Sequence, residues 1–179
     1  MDDKLEAGHL ESKCELEGRW QLEMGSIWID VMVNLGGTNE LRVTLEEALL
    51  WSESVDNVLY HKAGQVVFRN FLRKEFSEEN IDFWLACEAY RKINSPEKMA
   101  STARKIYSEF IKVKAPKEIN IDFTTRENIT KGINEPTQSS FDAAQNIIYS
   151  LMAKDPYPRF LKSDSYLELI NKKKNNQQK

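Results

Sequence analysis

The chain has 179 residues, 41% hydrophobic and 30% charged, which suits one globular domain of ordinary size with tails. No apolar run approaches the roughly 20 residues of a membrane span. Met1-Asp2-Asp3-Lys4 leads into no signal-peptide core, and Cys14 and Cys87 make neither a disulfide framework nor a metal cluster, so a reduced, cytoplasmic protein is expected. The net charge of −3 divides unevenly: residues 1–50 hold eleven acids and four bases, and the remainder carries +4 in dispersed bases that form no stripe for nucleic acid.

Residues 1–43 read as an accessory segment, partly disordered. Within them Glu6 to Glu23 is charge-rich, and the β-branched run from Ile27 to Val33 reads as a short strand ended by Gly36-Gly37. From Thr44 the pattern is helical. Thr44 and Glu47 have capping-box spacing ahead of Ala48-Leu49-Leu50-Trp51. Val55, Val58 and Leu59 keep the helical period, and Ala63-Gly64 is expected to break it. Val66 to Phe76 is the next helix, followed by one to about Ile93. Ser95-Pro96 restarts the chain, with proline at the first helical position. Met99, Ala103, Ile106 and Phe110 then form one apolar face.

Lys114 to Ile121 reads as a loop, and Thr124 to Ile133 as a short helix. Ser140, Phe141, Ala144, Ile148, Leu151 and Met152 mark a long amphipathic helix that Asp155-Pro156-Tyr157-Pro158 ends or kinks. Arg159 to Lys162 and Asp164 to Asn171 are two further short helices. Residues 172–179 are a basic, polar tail with nothing to bury. There is no internal repeat and no alternation of strand and helix, so the fold class is all-α.

The most informative run is Phe76 to Glu88. Ser77 is a good N-cap, Glu78 and Glu79 lie where the helix dipole favours negative charge, and Ile81, Trp84 and Leu85 share one stripe. Glu79 and Asn80 are expected at the exposed mouth of this helix. An enzyme reading finds little support. Glu78 and Asp82 stand at i, i+4, but no Glu-x-x-His pair accompanies them. The chain has only His9 and His61, and no glycine-rich phosphate loop. Capping, dipole compensation or protein contact is the better reading of that carboxylate pair. Cys87 beside Trp84 reads as a small buried hydrophobe. Phe83, Trp84, Phe141 and Phe160 read as core. Lys172-Lys173-Lys174 supports at most a weak contact with an anionic membrane surface, about 1 kcal/mol per basic residue.

Five blocks in order resemble the RGS family, the regulators of G-protein signalling, over about Thr44 to Asn171. They run Gly64 to Leu72, Ser77 to Glu88, Ala115 to Asp122, Phe141 to Gln145, and Leu151 to Ser163. The likeness is greatest to small, single-domain members. It implies a nine-helix, two-lobe fold in residues 44–171, whose loops at one end grip a heterotrimeric G-protein α subunit (Gα), in its GTP-bound or transition-state form, and accelerate GTP hydrolysis. The Gi or Gq class is implied as target, at the cytoplasmic face of the plasma membrane, with the protein a monomer. No cofactor, metal or catalytic residue of its own is implied.

Carried over by position, Phe76, Ser77, Glu79 and Asn80 match the first contact block, and Phe76 stands where many relatives have Tyr. Asn120 matches the amide that reaches the Gα active site. Leu151, Asp155, Pro156 and Arg159 match the third cluster, in which Arg159 can hold the Asp155 carboxylate. Pro156 replaces a usual Ser, removing an N–H and a hydroxyl. The resemblance also permits lipidation of Cys87. The acidic segment before the domain departs from the basic membrane helix common in small members, and anionic lipid would repel it. The alternative reading is a scaffold or effector antagonist on the same fold that binds Gα without accelerating hydrolysis.

Overall fold

The computed structural model describes residues 43–177, and the accessory segment and strand expected before residue 43 lie outside them. Among the described residues every regular element is helical. The first apolar stretch forms two helices, α1 (Leu45–Leu50) and α2 (Val55–Leu59), where one period suggested continuity. Ser54 causes the break: extended, it accepts hydrogen bonds from the amides of Asp56 and Asn57 and caps α2.

Helix α3 (Lys62–Lys74) contains Ala63 and Gly64 in its first turn, and this corrects the expected break there. Gly64 serves close approach. A Cβ at this position would lie 2.5 Å from the Val58 carbonyl oxygen, so α2 can press onto α3 only across a residue without a side chain.

Helix α4 (Glu79–Arg91) follows, then α5 (Pro96–Ile106), capped by Ser95 with Pro96 at its first turn as expected. Helix α5 runs into a π-helical turn, Tyr107–Ile111, which turns both Phe110 and Ile111 into the core. Helix α6 (Phe123–Gly132) is capped by the Asp122 carboxylate, which accepts the Thr125 amide at 2.9 Å. Helix α7 (Asp142–Lys154) meets α8 (Pro156–Phe160) at Asp155. The last helix, α9 (Asp164–Gln177), continues through residues read as the start of a tail. Its buried anchors, Tyr166 and Ile170, lie in its first two turns.

Two packing groups result. Helices α4 to α7 form one lobe, with α4 against α7 its most extensive contact, around Phe83, Phe110, Phe141 and Tyr90. Helices α1 to α3 with α8 and α9 form the other, around Trp51, Phe68, Phe160 and Tyr166. Hydrogen bonds across long sequence separations close the second lobe: Tyr157 donates to the Trp51 carbonyl and Tyr166 to that of Ala48, both at 2.8 Å. Among the described residues no helix is long and apolar enough to cross a membrane.

Candidate functional site

Helix α3 ends in a Schellman motif. The Ser77 amide donates to the Leu72 carbonyl at 2.9 Å and the Phe76 amide to that of Arg73 at 3.2 Å. That motif requires a left-handed residue at its turn, usually glycine, and here Phe76 takes it at φ 56°. The ring is 93% exposed. The Ser77 hydroxyl also donates back to the Leu72 carbonyl. Ser77 therefore completes the end of α3 and is not the side-chain cap of α4, a correction to the expectation above. The α4 cap position falls to Glu78, whose side chain makes no capping bond.

Glu79 and Asn80 open α4 half-buried, not at a fully exposed mouth. Desolvation, reinforced by the charges of Asp82 and Glu78, holds the Glu79 carboxyl above its ordinary value. The side chain therefore gains from any partner that brings it a donor. One Glu78 carboxylate oxygen is buried without a hydrogen bond, its ion-pair neighbours Arg69 and Arg73 standing off at 3.7 and 3.8 Å.

The loop after the π-helical turn faces this corner. Lys114 takes the second left-handed conformation, φ 62°. Its amide donates to Glu118, whose other oxygen receives Arg126 from α6. Arg126 also donates to the carbonyls of Ile111 and Ile119. Buried Ile119 and Ile121 flank Asn120, so the backbone alternation drives the Asn120 amide outward. Val113 and Phe123 are exposed on either side of this loop in the sequence. A cleft joins the two corners, lined by Arg73, Phe76, Glu78, Glu79, Pro116 and Lys117.

A third cluster lies where α7 gives way to α8. Leu151, 38% exposed, and Asp155 stand one turn apart, and the Asp155 amide donates to the Leu151 carbonyl. Arg159 donates from Nη1 to the Asp155 carboxylate and from Nε and Nη2 to Glu75 at 3.1 and 2.7 Å. Glu75 first, then Asp155, push the guanidinium's pKa up. Pro156 is buried at the first position of α8, so its ring packs inward and does not share the outward aspect of Asp155. Cys87 is buried in α4, and burial raises its thiol pKa well above the ordinary value.

Three segments far apart in sequence thus meet. The cleft joins the α3–α4 turn to the Asn120 loop, and Glu75, the residue before Phe76, joins that turn to Asp155 and Arg159. The sequence marks Phe76, Ser77, Glu79, Asn80, Asn120, Leu151, Asp155, Pro156 and Arg159 as expected contact residues, but not the ties between their segments: Glu75, Lys117, Glu118 and Arg126. Glu75 and Lys117 carry no local pattern, since they make their contacts 84 and 35 positions away in sequence.

The family model for the regulator of G protein signaling domain matches residues 54–169, a span that contains all three segments. Regulator of G-protein signaling 21 of Homo sapiens is 58% identical over 125 residues, covering 70% of this chain and 82% of the relative. Regulator of G-protein signaling 5 of Bos taurus is 55% identical over 127 residues, 71% and 70% of the two chains. Regulator of G-protein signaling 8 of Homo sapiens is 52% identical over 130 residues, 73% and 72%.

Proposed function

The chain belongs to the regulator of G-protein signalling family, and from that premise we propose that it accelerates GTP hydrolysis by Gα subunits of the Gi or Gq class. The observation that carries the reading is the cleft that sets Phe76 and Glu79 of the α3–α4 turn beside Pro116 and Lys117 of the loop carrying Asn120, with Asp155 and Arg159 tied to the same turn through Glu75. Gα brings its own catalytic Arg and a Gln that orients the attacking water. A helper need only bind the switch loops best in their transition-state arrangement, because only such differential binding lowers the barrier.

The residues suit that task. The Asn120 amide donates and accepts at once, so it can orient both the Gln and the water. The desolvated Glu79 carboxylate suits a donor from a switch loop. Asp155, oriented by Arg159, presents a second acceptor. The exposed Phe76 ring supplies apolar contact area. The protein so read acts on the catalytic site of its partner and contributes no acid, base or nucleophile.

The test is single-turnover GTP hydrolysis by purified Gi-class and Gq-class α subunits with the wild-type chain and Asn120→Ala. Wild type is expected to accelerate hydrolysis, and the variant to lose about tenfold or more, roughly 1.4 kcal/mol of transition-state stabilisation. Its thermal midpoint should not move, since Asn120 is exposed. Binding to the transition-state form of Gα without acceleration would replace this reading with that of a scaffold or effector antagonist.

A further inference from the structure

We propose that Asp82 is a positioning residue, the joint that holds the Asn120 loop in register with Glu79 and Asn80 through Lys117; the inference rests on the activator reading above. Asp82 lies in the first turn of α4 and is 3% exposed. Arg69 of α3 grips its carboxylate with Nε at 2.7 Å and Nη2 at 3.1 Å, and Lys117 Nζ reaches the second oxygen at 3.0 Å. Glu78 faces Arg69 at 3.7 Å and Arg73 at 3.8 Å, and Glu109 faces Lys117 at 3.4 Å, so the cluster holds three carboxylates and three cations. Burial pulls the Lys117 pKa down, and Asp82 and Glu109 more than restore it, so the ammonium stays charged.

A buried ion cluster is weak evidence for stability, because desolvation offsets most of the attraction and an apolar trio could fill the same space. Direction is what an apolar trio would not supply. The guanidinium fork fixes the rotation of the Asp82 carboxylate, and the carboxylate then fixes Lys117, which lies three residues before Asn120. The loop's other anchors point elsewhere: the Lys117 amide to the Glu109 carbonyl, the Ile119 amide to the Phe110 carbonyl, and Arg126 to Glu118 and the Ile111 and Ile119 carbonyls. Those anchors fold the loop against the end of α5 and α6. Lys117 ties it to α4, where Glu79 and Asn80 sit. An amide that must orient a water and a side chain together tolerates little displacement, since errors of about 1 Å can cost up to about a hundredfold in rate.

The experiment uses Lys117→Gln in the full chain, because Lys117 is partly exposed and Asp82→Asn would disturb the core. Single-turnover acceleration of Gα should fall on the order of tenfold, and Lys117→Arg should restore most of it. Combined with Asn120→Ala, Lys117→Gln should add almost nothing, because both act through one amide. Amide hydrogen exchange, read with no G protein present, should quicken at residues 118–122 in Lys117→Gln and stay unchanged in α4. Additive losses would mean that Lys117 touches the partner on its own account, and unchanged loop exchange would mean that it tethers nothing. Either result overturns the proposal. A wild-type chain that fails to accelerate hydrolysis would instead refute the activator reading, and the exchange arm would still decide the tether.

Discussion

The residue that closes a Schellman motif is ordinarily glycine, and here it is Phe76 at φ 56°. A left-handed backbone costs a residue with a Cβ about 1–2 kcal/mol, and a ring that is 93% exposed recovers almost none of it by packing. Its neighbour Glu79 is likewise held against its preference, desolvated as a charged group. Two unfavourable choices within four residues are intelligible if a partner supplies the missing contacts. Phe76→Gly should therefore separate stability from function. Relief of the strain, less the greater unfolded-state entropy of glycine, leaves a gain of about 0.5–1 kcal/mol. A thermal melt should show the midpoint rise by about 2–4 °C. Titration of Gα against the variant in the hydrolysis assay should show weaker activation. A midpoint that fell would show that the ring packs on the chain itself. The sequence displayed this aromatic inside a recognisable block, but its backbone conformation follows from hydrogen bonds to Leu72 and Arg73 that no side-chain pattern encodes.

At the scale of elements, apolar periodicity placed most helices after Thr44, but it ran α1 and α2 together and put the short helix after the Asp155-Pro156 kink at Arg159 to Lys162, where α8 spans Pro156–Phe160. Ser95-Pro96 was legible because cap and first-turn proline are adjacent in sequence. Ser54 was not, since the apolar period runs through it. Ser77 was misassigned because a hydroxyl between two helices can serve either, and the left-handed turn at Phe76 aims it back at Leu72. Gly64 was read as punctuation for a similar reason: a glycine needed for clearance has the same letter as one needed for a turn. Its true role gives a direct test. In Gly64→Ala the new methyl would meet Val58 backbone atoms at 2.5 and 3.0 Å, and backbone cannot swing away as a side-chain end can. Parting α2 from α3 should cost about 1–3 kcal/mol as overpacking. In urea the midpoint should fall with the slope unchanged. A neutral result, or a gain from better helix propensity, would mean that the two helices separate freely.

Over the whole molecule, the residues of the three clusters were legible as short blocks, while the relation between blocks was not. Glu75 and Arg159 are 84 positions apart and form the tie between the α3–α4 turn and the α7–α8 junction. Arg159 also donates to Asp155, so Glu75 orients that acceptor through the guanidinium. The pair is partly exposed, and solvent screening leaves pairs of this kind little net effect on stability. The tie therefore matters little for keeping the lobes folded. What it fixes is the direction of Asp155. Glu75→Gln keeps the shape and loses the charge that holds the guanidinium. Its thermal midpoint should stay within about 2 °C of wild type. Its activation of Gα should fall on the order of threefold to tenfold, about 0.7–1.4 kcal/mol. The coupling decides between orientation and direct contact. If Glu75 acts through Arg159 and Asp155, a variant already lacking the carboxylate in Asp155→Ala should be almost indifferent to the further change Glu75→Gln. If the two losses multiply, Glu75 meets the partner directly and the contact face is wider than the three clusters described.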